Sequence, residues 1–240
     1  MASRIGLIPA RKGSQRLPGK NIMQVNGHPL IAYTISTAQK CGIFDRIVVS
    51  TDCAETAEIA IKYGAEVPEL RSPDISAAES PDIDWVLLAI NEWLKLQDND
   101  YICILRPTSP LRTPASIIKA FELLINNSNY DSIRAIRPIR EHPSKMWRGK
   151  PGASITPFDD SVVFKTNTPA HSSPFQVLEK LWIQDASLEI VRVGAVRKNS
   201  TISGQHVMGF EMPNHEGFDI NYPEDMDFVR KVINDLGRTI

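Results

Sequence analysis

Cysteine is scarce in this chain of 240 residues, and the three present are Cys41, Cys53 and Cys103. An odd number at wide spacing argues against a disulfide framework. Each thiol sits in or beside an apolar stretch, so reduced, buried cysteines are expected. No Cys/His spacing suits zinc. The five histidines, His28, His142, His171, His206 and His215, have no triad-like neighbourhood. Charge of one sign is not in excess: 27 Lys and Arg stand against 28 Asp and Glu, a formal net charge of −1. That balance argues against a dedicated binder of nucleic acid or of a membrane surface. No apolar run approaches the ~20 residues that span a bilayer. The short apolar run near the start is followed at once by charges, unlike a secretory signal, so a cytoplasmic protein is expected. Two nucleotide-binding fingerprints are also absent, Gly-x-x-x-x-Gly-Lys-Ser/Thr and Gly-x-Gly-x-x-Gly. Lack of the second argues against a NAD-dependent enzyme.

What is present is a globular composition, 42% hydrophobic, in a length that suits one α/β domain over residues 1–240 with an irregular extension at about 138–188. The first half alternates strand and helix. Ile5–Pro9, Arg46–Ser50 and Tyr101–Leu105 read as buried strands, and Glu66–Leu70 as a short one. Pro29–Lys40 reads as a helix ended near Gly42. Asp52 with Glu55 resembles a capping box for a helix stopping at Gly64. Ser80-Pro81 and Thr113-Pro114 each read as a cap followed by proline at the first helical position. Ile83, Val86, Leu87, Ile90 and Leu94 keep helical spacing after the first, and Ile117, Phe121 and Leu124 after the second. Ser132–Arg137 reads as a further strand, regularity returns with Glu189–Val196 and Val207–Phe210, and Pro223–Leu236 reads as a closing helix. The segment between, rich in Pro, Ser, Gly and His with Trp147, Phe158 and Phe175, suits hairpins or an arm on a partner. Strands alternating with helices imply right-handed crossovers and a largely parallel sheet. Ligands of such sheets lie beyond the carboxyl ends of the strands, where the loops Ala10–Asn21, Thr51-Asp52 and Arg106–Arg112 should converge.

The first of these loops, Ala10-Arg11-Lys12-Gly13-Ser14-Gln15-Arg16-Leu17-Pro18-Gly19-Lys20-Asn21, carries four cations and two glycines. Glycine lets the backbone approach a phosphate, and exposed N–H groups with Lys and Arg neutralise it. A solvated basic loop is the plainer reading. Arg106-Pro107-Thr108-Ser109-Pro110-Leu111-Arg112 is stiffened by two prolines, with two hydroxyls and two guanidiniums expected to project. Such a loop can hold donors for a substrate, or serve only as a strand-to-helix turn. Asp219 and Asn221 alternate in an extended segment and should point the same way. A carboxylate and an amide oxygen suit Mg²⁺, although Asn221 could instead cap the helix from Pro223.

Together these motifs resemble the CMP-sialic acid synthetases, the acylneuraminate cytidylyltransferases. Ala10–Asn21 is similar to the family's Ala-Arg-x-Gly-Ser-Lys-Arg-Leu-Pro-Gly-Lys-Asn signature. Ser50-Thr51-Asp52, Arg106–Arg112 (family Gln-Pro-Thr-Ser-Pro-Leu-Arg) and Asp219-Ile220-Asn221 (family Asp-Ile-Asp) are similar to three more. The resemblance implies a Rossmann-like nucleotidyltransferase fold with a mostly parallel central sheet and an extended dimerisation segment. It implies transfer of CMP from CTP to the anomeric hydroxyl of a 2-keto-3-deoxy acid sugar, with pyrophosphate released. It also implies a Mg²⁺ cofactor held by Asp219 and Asn221, and a homodimer. By the same resemblance Ala10, Arg11, Gly13, Ser14, Arg16, Lys20, Asn21 and Arg71 bind the nucleotide, Arg71 near the cytosine. Arg106, Thr108 and Ser109 face the sugar, and Arg11, Lys20 and Asp219 are the catalytic candidates. The chain departs from the pattern at Gln15 (usually Lys), Arg106 (usually Gln) and Asn221 (usually Asp). The family's Arg-Gln-x-Leu-Pro segment has no clear counterpart between Thr168 and Ser187. Arg106 could pair with the sugar's carboxylate or fill its space. Two other functions stay open, a related nucleotidyltransferase for another sugar and a nucleotide-binding homologue that has lost catalysis.

Overall fold

A computed structural model describes every residue except 1, 15, 78, 164 and 166. The departure at Gln15 therefore lies outside the described residues. The chain forms two compact units, residues 1–136 with 185–240, and residues 137–184.

In the larger unit the apolar run of β1 (Arg4–Pro9) is buried on both faces, the mark of a central parallel strand. It pairs in parallel with β2 (Arg46–Ser50) on one side and β3 (Tyr101–Ile104) on the other. Between them run α1 (Leu30–Cys41), α2 (Ala54–Lys62) and α3 (Asp82–Leu88), and α4 (Pro114–Asn126) follows β3. The chain then adds β4 (Ser132–Pro138), β5 (Trp182–Arg192), α5 (Val193–Asn199), β6 (Val207–Glu211) and α6 (Pro223–Asp235). Among the described residues the main sheet has the order β6-β4-β5-β3-β1-β2. β6 is parallel to β4, while β5 runs antiparallel to β3.

The period-two alternation of the strands divides the core between the two faces of the sheet. Ile8, Val49, Cys103 and Ile190 pack with α1 and α4. Ile5, Leu7, Val48, Ile102 and Ile104 pack with Trp85, Val86 and Ile90. Each such side chain contributes roughly 1.5–3 kcal/mol by leaving water. A third cluster seats α6 against the site loops: Ile220, Met226, Val229 and Ile233 meet Leu17, Leu30, Tyr33 and Leu111. The three cysteines are free and buried, and burial pushes the Cys41 thiol up to about 12. Among the described residues no helix is long and apolar enough to cross a membrane.

Several local expectations are corrected. Asp52 does not cap α2; its Oδ1 accepts the Lys12 N–H at 2.7 Å, and Thr51 Oγ1 takes the Cys53 N–H at 3.1 Å. Ser80 does not cap α3, because its hydroxyl donates to the Asp74 carbonyl at 3.0 Å. Of Glu66–Leu70 only Glu66 bridges to the sheet, at Val48. The regular segment Glu189–Val196 is divided between two elements: β5 ends at Arg192, and a helix starts at Val193. By contrast Thr113 caps α4, its hydroxyl accepting the Ser116 N–H at 3.3 Å, and Gly42 ends α1 at φ +64°, a backbone that favours glycine.

The smaller unit consists of short ladders, Trp147–Arg148 with Thr156–Pro157 and Val162–Val163 with Thr168–Pro169. Polar contacts tie it together. His142 is buried, with Nδ1 accepting the Ser144 N–H at 3.1 Å. Lys145 donates to the carbonyls of His171, at 2.9 Å, and of Ser173.

Candidate functional site

Three loops meet at the carboxyl ends of β1, β2 and β3, as the crossover pattern predicts. The Ala10 N–H donates to the Ser50 carbonyl at 2.9 Å, and the Thr51 hydroxyl to the Ala10 carbonyl at 2.7 Å. The Ile220 N–H donates to the Thr108 carbonyl at 2.8 Å, which brings the segment before α6 alongside the third loop. Around this junction lies a cavity of about 490 Å³, lined by Arg11, Ser14, Arg16, Lys20, Asn21, Arg71, Asp82, Arg106, Thr108, Asp219 and Asn221, with Pro9, Pro107 and Ala186.

The first loop turns back on itself at Gly19, whose φ of +68° places it in the left-handed region, and a 3₁₀ turn over Lys20–Ile22 follows. Buried Asn21 donates from Nδ2 to the Arg11 carbonyl at 3.1 Å, closing the loop. Arg11 reaches the Ala77 carbonyl at 2.6 Å, Lys20 Nζ reaches the Ile220 carbonyl at 3.0 Å, and the Arg16 guanidinium lies 5.9 Å from the Tyr222 ring centre. Burial lowers the Lys20 pKa, with Asp219 acting against that and Arg16 and Arg11 reinforcing it. Ala10 is buried and Gly13 is exposed, and neither lines the cavity. A Cβ at Gly13 would meet open space.

Arg71 is buried. Its Nε donates to the Ser50 hydroxyl at 2.5 Å, and its guanidinium lies 4.5 Å from the Trp85 ring centre. Burial pulls its pKa down to about 10. It also lines an adjoining polar recess of about 280 Å³ with Arg11, Ser80, Asp82, Trp85 and Arg106.

The third loop behaves differently from the expectation that all its polar side chains project. Arg106 and Thr108 do line the cavity, but Ser109 and Arg112 turn inward and are fully buried. Arg112 donates to the Ser187 carbonyl at 2.5 Å and the Thr34 hydroxyl at 3.0 Å, and burial lowers its pKa to about 10. It fastens the loop to the core. Arg106 donates from one terminal nitrogen to Asp82, at 2.6 Å, and to Glu189, at 2.9 Å. Burial opposes its charge, but Glu189 and Asp82 outweigh burial and hold the guanidinium above the ordinary arginine value. Burial would raise the Asp82 carboxyl, yet Arg106, the Trp85 N–H and Arg71 together bring it below the usual range.

Asp219 and Asn221 share one face of their segment, as alternation requires. Asn221 Nδ2 donates to Asp219 Oδ2 at 2.9 Å, while Ile220 between them is buried. Asn221 is not the helix cap; Asp225 Oδ2 accepts the N–H groups of Asn221 and Tyr222 at 2.7 and 2.8 Å. Oδ1 of Asp219 and Oδ1 of Asn221 are buried without a hydrogen-bond partner among the described residues. Among the described residues no three His, Cys, Asp or Glu side chains gather as a metal site, so any ion here would rest on this oxygen pair, its own waters and substrate. Sequence reasoning missed Asp82, which lines the cavity, Trp85, which lines the adjoining recess, and Glu189, which pairs with Arg106.

A sequence model of the family described as Cytidylyltransferase matches residues 5–147. The pseudaminic acid cytidylyltransferase of Campylobacter jejuni subsp. jejuni serotype O:23/36 is 42% identical over 226 residues, 93% of each chain. CMP-N,N'-diacetyllegionaminic acid synthase of Legionella pneumophila is 41% identical over 144 residues, 58% of this chain and 60% of that protein. Among solved structures, CMP:2-keto-3-deoxy-manno-octonic acid synthetase complexed with CTP aligns with a TM-score of 0.70 at 14% identity, covering 98% of this chain and 100% of the other. That likeness shows a shared fold, an α/β domain with a mostly parallel central sheet. The chain belongs to the cytidylyltransferase family.

Proposed function

We propose that this protein transfers CMP from CTP to the anomeric hydroxyl of a nonulosonic acid sugar, releasing pyrophosphate. The observation that carries the reading is the convergence of Arg11, Arg16 and Lys20 with the oxygens of Asp219 and Asn221 in one cavity. A triphosphate needs those cations, and in-line transfer at its α-phosphorus needs mainly positioning and charge neutralisation. Among the described residues that line it there is no histidine, cysteine or tyrosine. Arg11, Ser14, Arg16 and Lys20 hold the triphosphate, and Asn21 fixes the loop that presents them. Arg71, stacked on Trp85 beside the polar recess, serves the base, while Arg106 and Thr108 face the acceptor. The 42% identity to a pseudaminic acid cytidylyltransferase supports an acidic nine-carbon acceptor.

Two buried, unpartnered oxygens fit Mg²⁺, a hard cation that keeps several waters. Asp219 and Asn221 would hold it, and when bound it would neutralise phosphate oxygens. The test is pyrophosphate release from CTP and Mg²⁺ over a panel of keto-acid sugars. Turnover with at least one is expected. CTP binding without turnover would make the protein a binder, and faster reaction with UTP, GTP or ATP would overturn the cytidylyl assignment.

A homodimer belongs to the same proposal. The smaller unit exposes Met146, Trp147, Ile155, Phe158, Val162 and Phe175, and apolar side chains in such density suit a partner surface. Sedimentation should show a dimer, and Trp147→Glu with Phe158→Glu should raise its dissociation constant at least about 30-fold, roughly 2 kcal/mol. A monomeric wild type would overturn this. A cytoplasmic location completes the proposal, supported by three free, buried thiols.

A further inference from the structure

The cations of the main cavity are not equally available to an anion. Among the described residues Arg11, Arg16 and Lys20 form no ion pair. Arg11 and Lys20 donate to backbone carbonyls instead. Arg106 is different. Both hydrogens of one terminal nitrogen go to carboxylates, Asp82 at 2.6 Å and Glu189 at 2.9 Å. The second oxygen of Glu189 lies 2.9 Å from a terminal nitrogen of Arg134. The second oxygen of Asp82 accepts the Trp85 indole N–H at 2.8 Å. Arg106 and Arg134 thus meet the two carboxylates directly, and Arg71 adds a more distant positive charge toward Asp82. The Glu189 side chain is only 2% exposed, so its pairs with Arg106 and Arg134 are screened less than the pair of Arg106 with the more exposed Asp82. Nε and the other terminal nitrogen of Arg106 have no partner among the described residues, and Arg106 lines the cavity.

We infer that Arg106 recognises an uncharged oxygen of the acceptor, a hydroxyl or an amide carbonyl, and does not pair with the acceptor's carboxylate. Asp82 and Glu189 are its positioning residues. A third carboxylate at this guanidinium would stand beside Asp82 and Glu189, which already take one of its terminal nitrogens, and repulsion between like charges opposes it. A neutral oxygen adds no charge, and the pinned planar fork gives it a fixed direction. The inference rests on the acid-sugar reading above, and it separates this chain from any relative that carries neutral glutamine at the same position.

The test compares the accepted sugar with its carboxamide in wild type, Arg106→Gln and Asp82→Asn. Arg106→Gln should lower kcat/KM for the acid at least about tenfold, through the KM of the sugar, with the KM of CTP held within about twofold. The ratio of kcat/KM for acid over carboxamide should stay within about threefold of wild type in that variant. Asp82→Asn, at a half-exposed position, should move the sugar KM in the same direction by less. Collapse of the acid/carboxamide ratio in Arg106→Gln would make Arg106 the carboxylate's partner and overturn the inference while the acid-sugar reading stands. Unchanged sugar kinetics in both variants would overturn it too. Failure of the wild type with every acid sugar would overturn both readings.

Discussion

Asp219→Ala is expected to lower Mg²⁺-dependent pyrophosphate release about 10³-fold, roughly 4 kcal/mol, with the fold intact. The backbone around Asp219 does not depend on its side chain. Ile220 is buried against Met226 and Val229, and its N–H is held by the Thr108 carbonyl at 2.8 Å. Asp225 holds the next two N–H groups. What the variant removes is the one carboxylate of the oxygen pair, the acceptor of the Asn221 amide, and the negative charge that favours the Lys20 cation. An alanine there leaves Asn221 Oδ1 as a lone neutral donor, and one amide oxygen is a poor site for Mg²⁺. Initial rates against Mg²⁺ concentration, with a thermal melt alongside, check this. Wild-type rates in the variant would remove Asp219 from the metal role; a melting point many degrees lower would make it structural.

How much of this was readable in advance depends on whether a residue's partners lie near it in sequence. β1 could be read because an apolar run between charges has few alternatives, and Gly42 and Thr113 because caps are local chemistry. Asp219 and Asn221 followed from alternation alone. Asp52 misled because its carboxylate had a choice: the near N–H groups of α2 or the Lys12 N–H forty residues away, and tertiary structure supplied the latter. Arg106 and Arg112 look alike on the page, six residues apart in one loop. Only the fold shows that Arg112 finds Ser187 and Thr34 in the interior whereas Arg106 stays at the cavity. The division of Glu189–Val196 between strand and helix is not legible because Val193-Gly194-Ala195-Val196 suits either a buried strand or a buried helix turn. The distinguishing contacts are the bonds of the Val193 and Gly194 N–H groups to the carbonyls of Asp100 and Asp98, at 2.9 and 3.0 Å. Glu189 gave no signal because a lone acid in an apolar strand acquires meaning only when Arg106, from the loop after β3, and Arg134, within β4, arrive from far along the chain.

Lys20→Ala should lower kcat/KM for CTP about 10²–10³-fold, roughly 3–4 kcal/mol, and Lys20→Arg should recover only part of it. Lys20 follows a left-handed Gly19, so the turn aims its side chain before any ligand binds. Its ammonium is half-buried and already lowered in pKa by that burial, so its charge meets a phosphate through little water. The same ammonium bonds the Ile220 carbonyl at 3.0 Å, between the two oxygen donors. Lys20 therefore joins the phosphate loop to the segment carrying Asp219 and Asn221, and its removal costs both charge and registration. Arginine restores the charge, but its longer, planar head cannot take the same point contact. If Lys20 acted only as a diffuse positive charge, Lys20→Arg would regain full activity and the loss in Lys20→Ala would shrink steadily with added salt. If it acts as placed, the kcat component of the loss persists at high salt, because a buried pair is screened little.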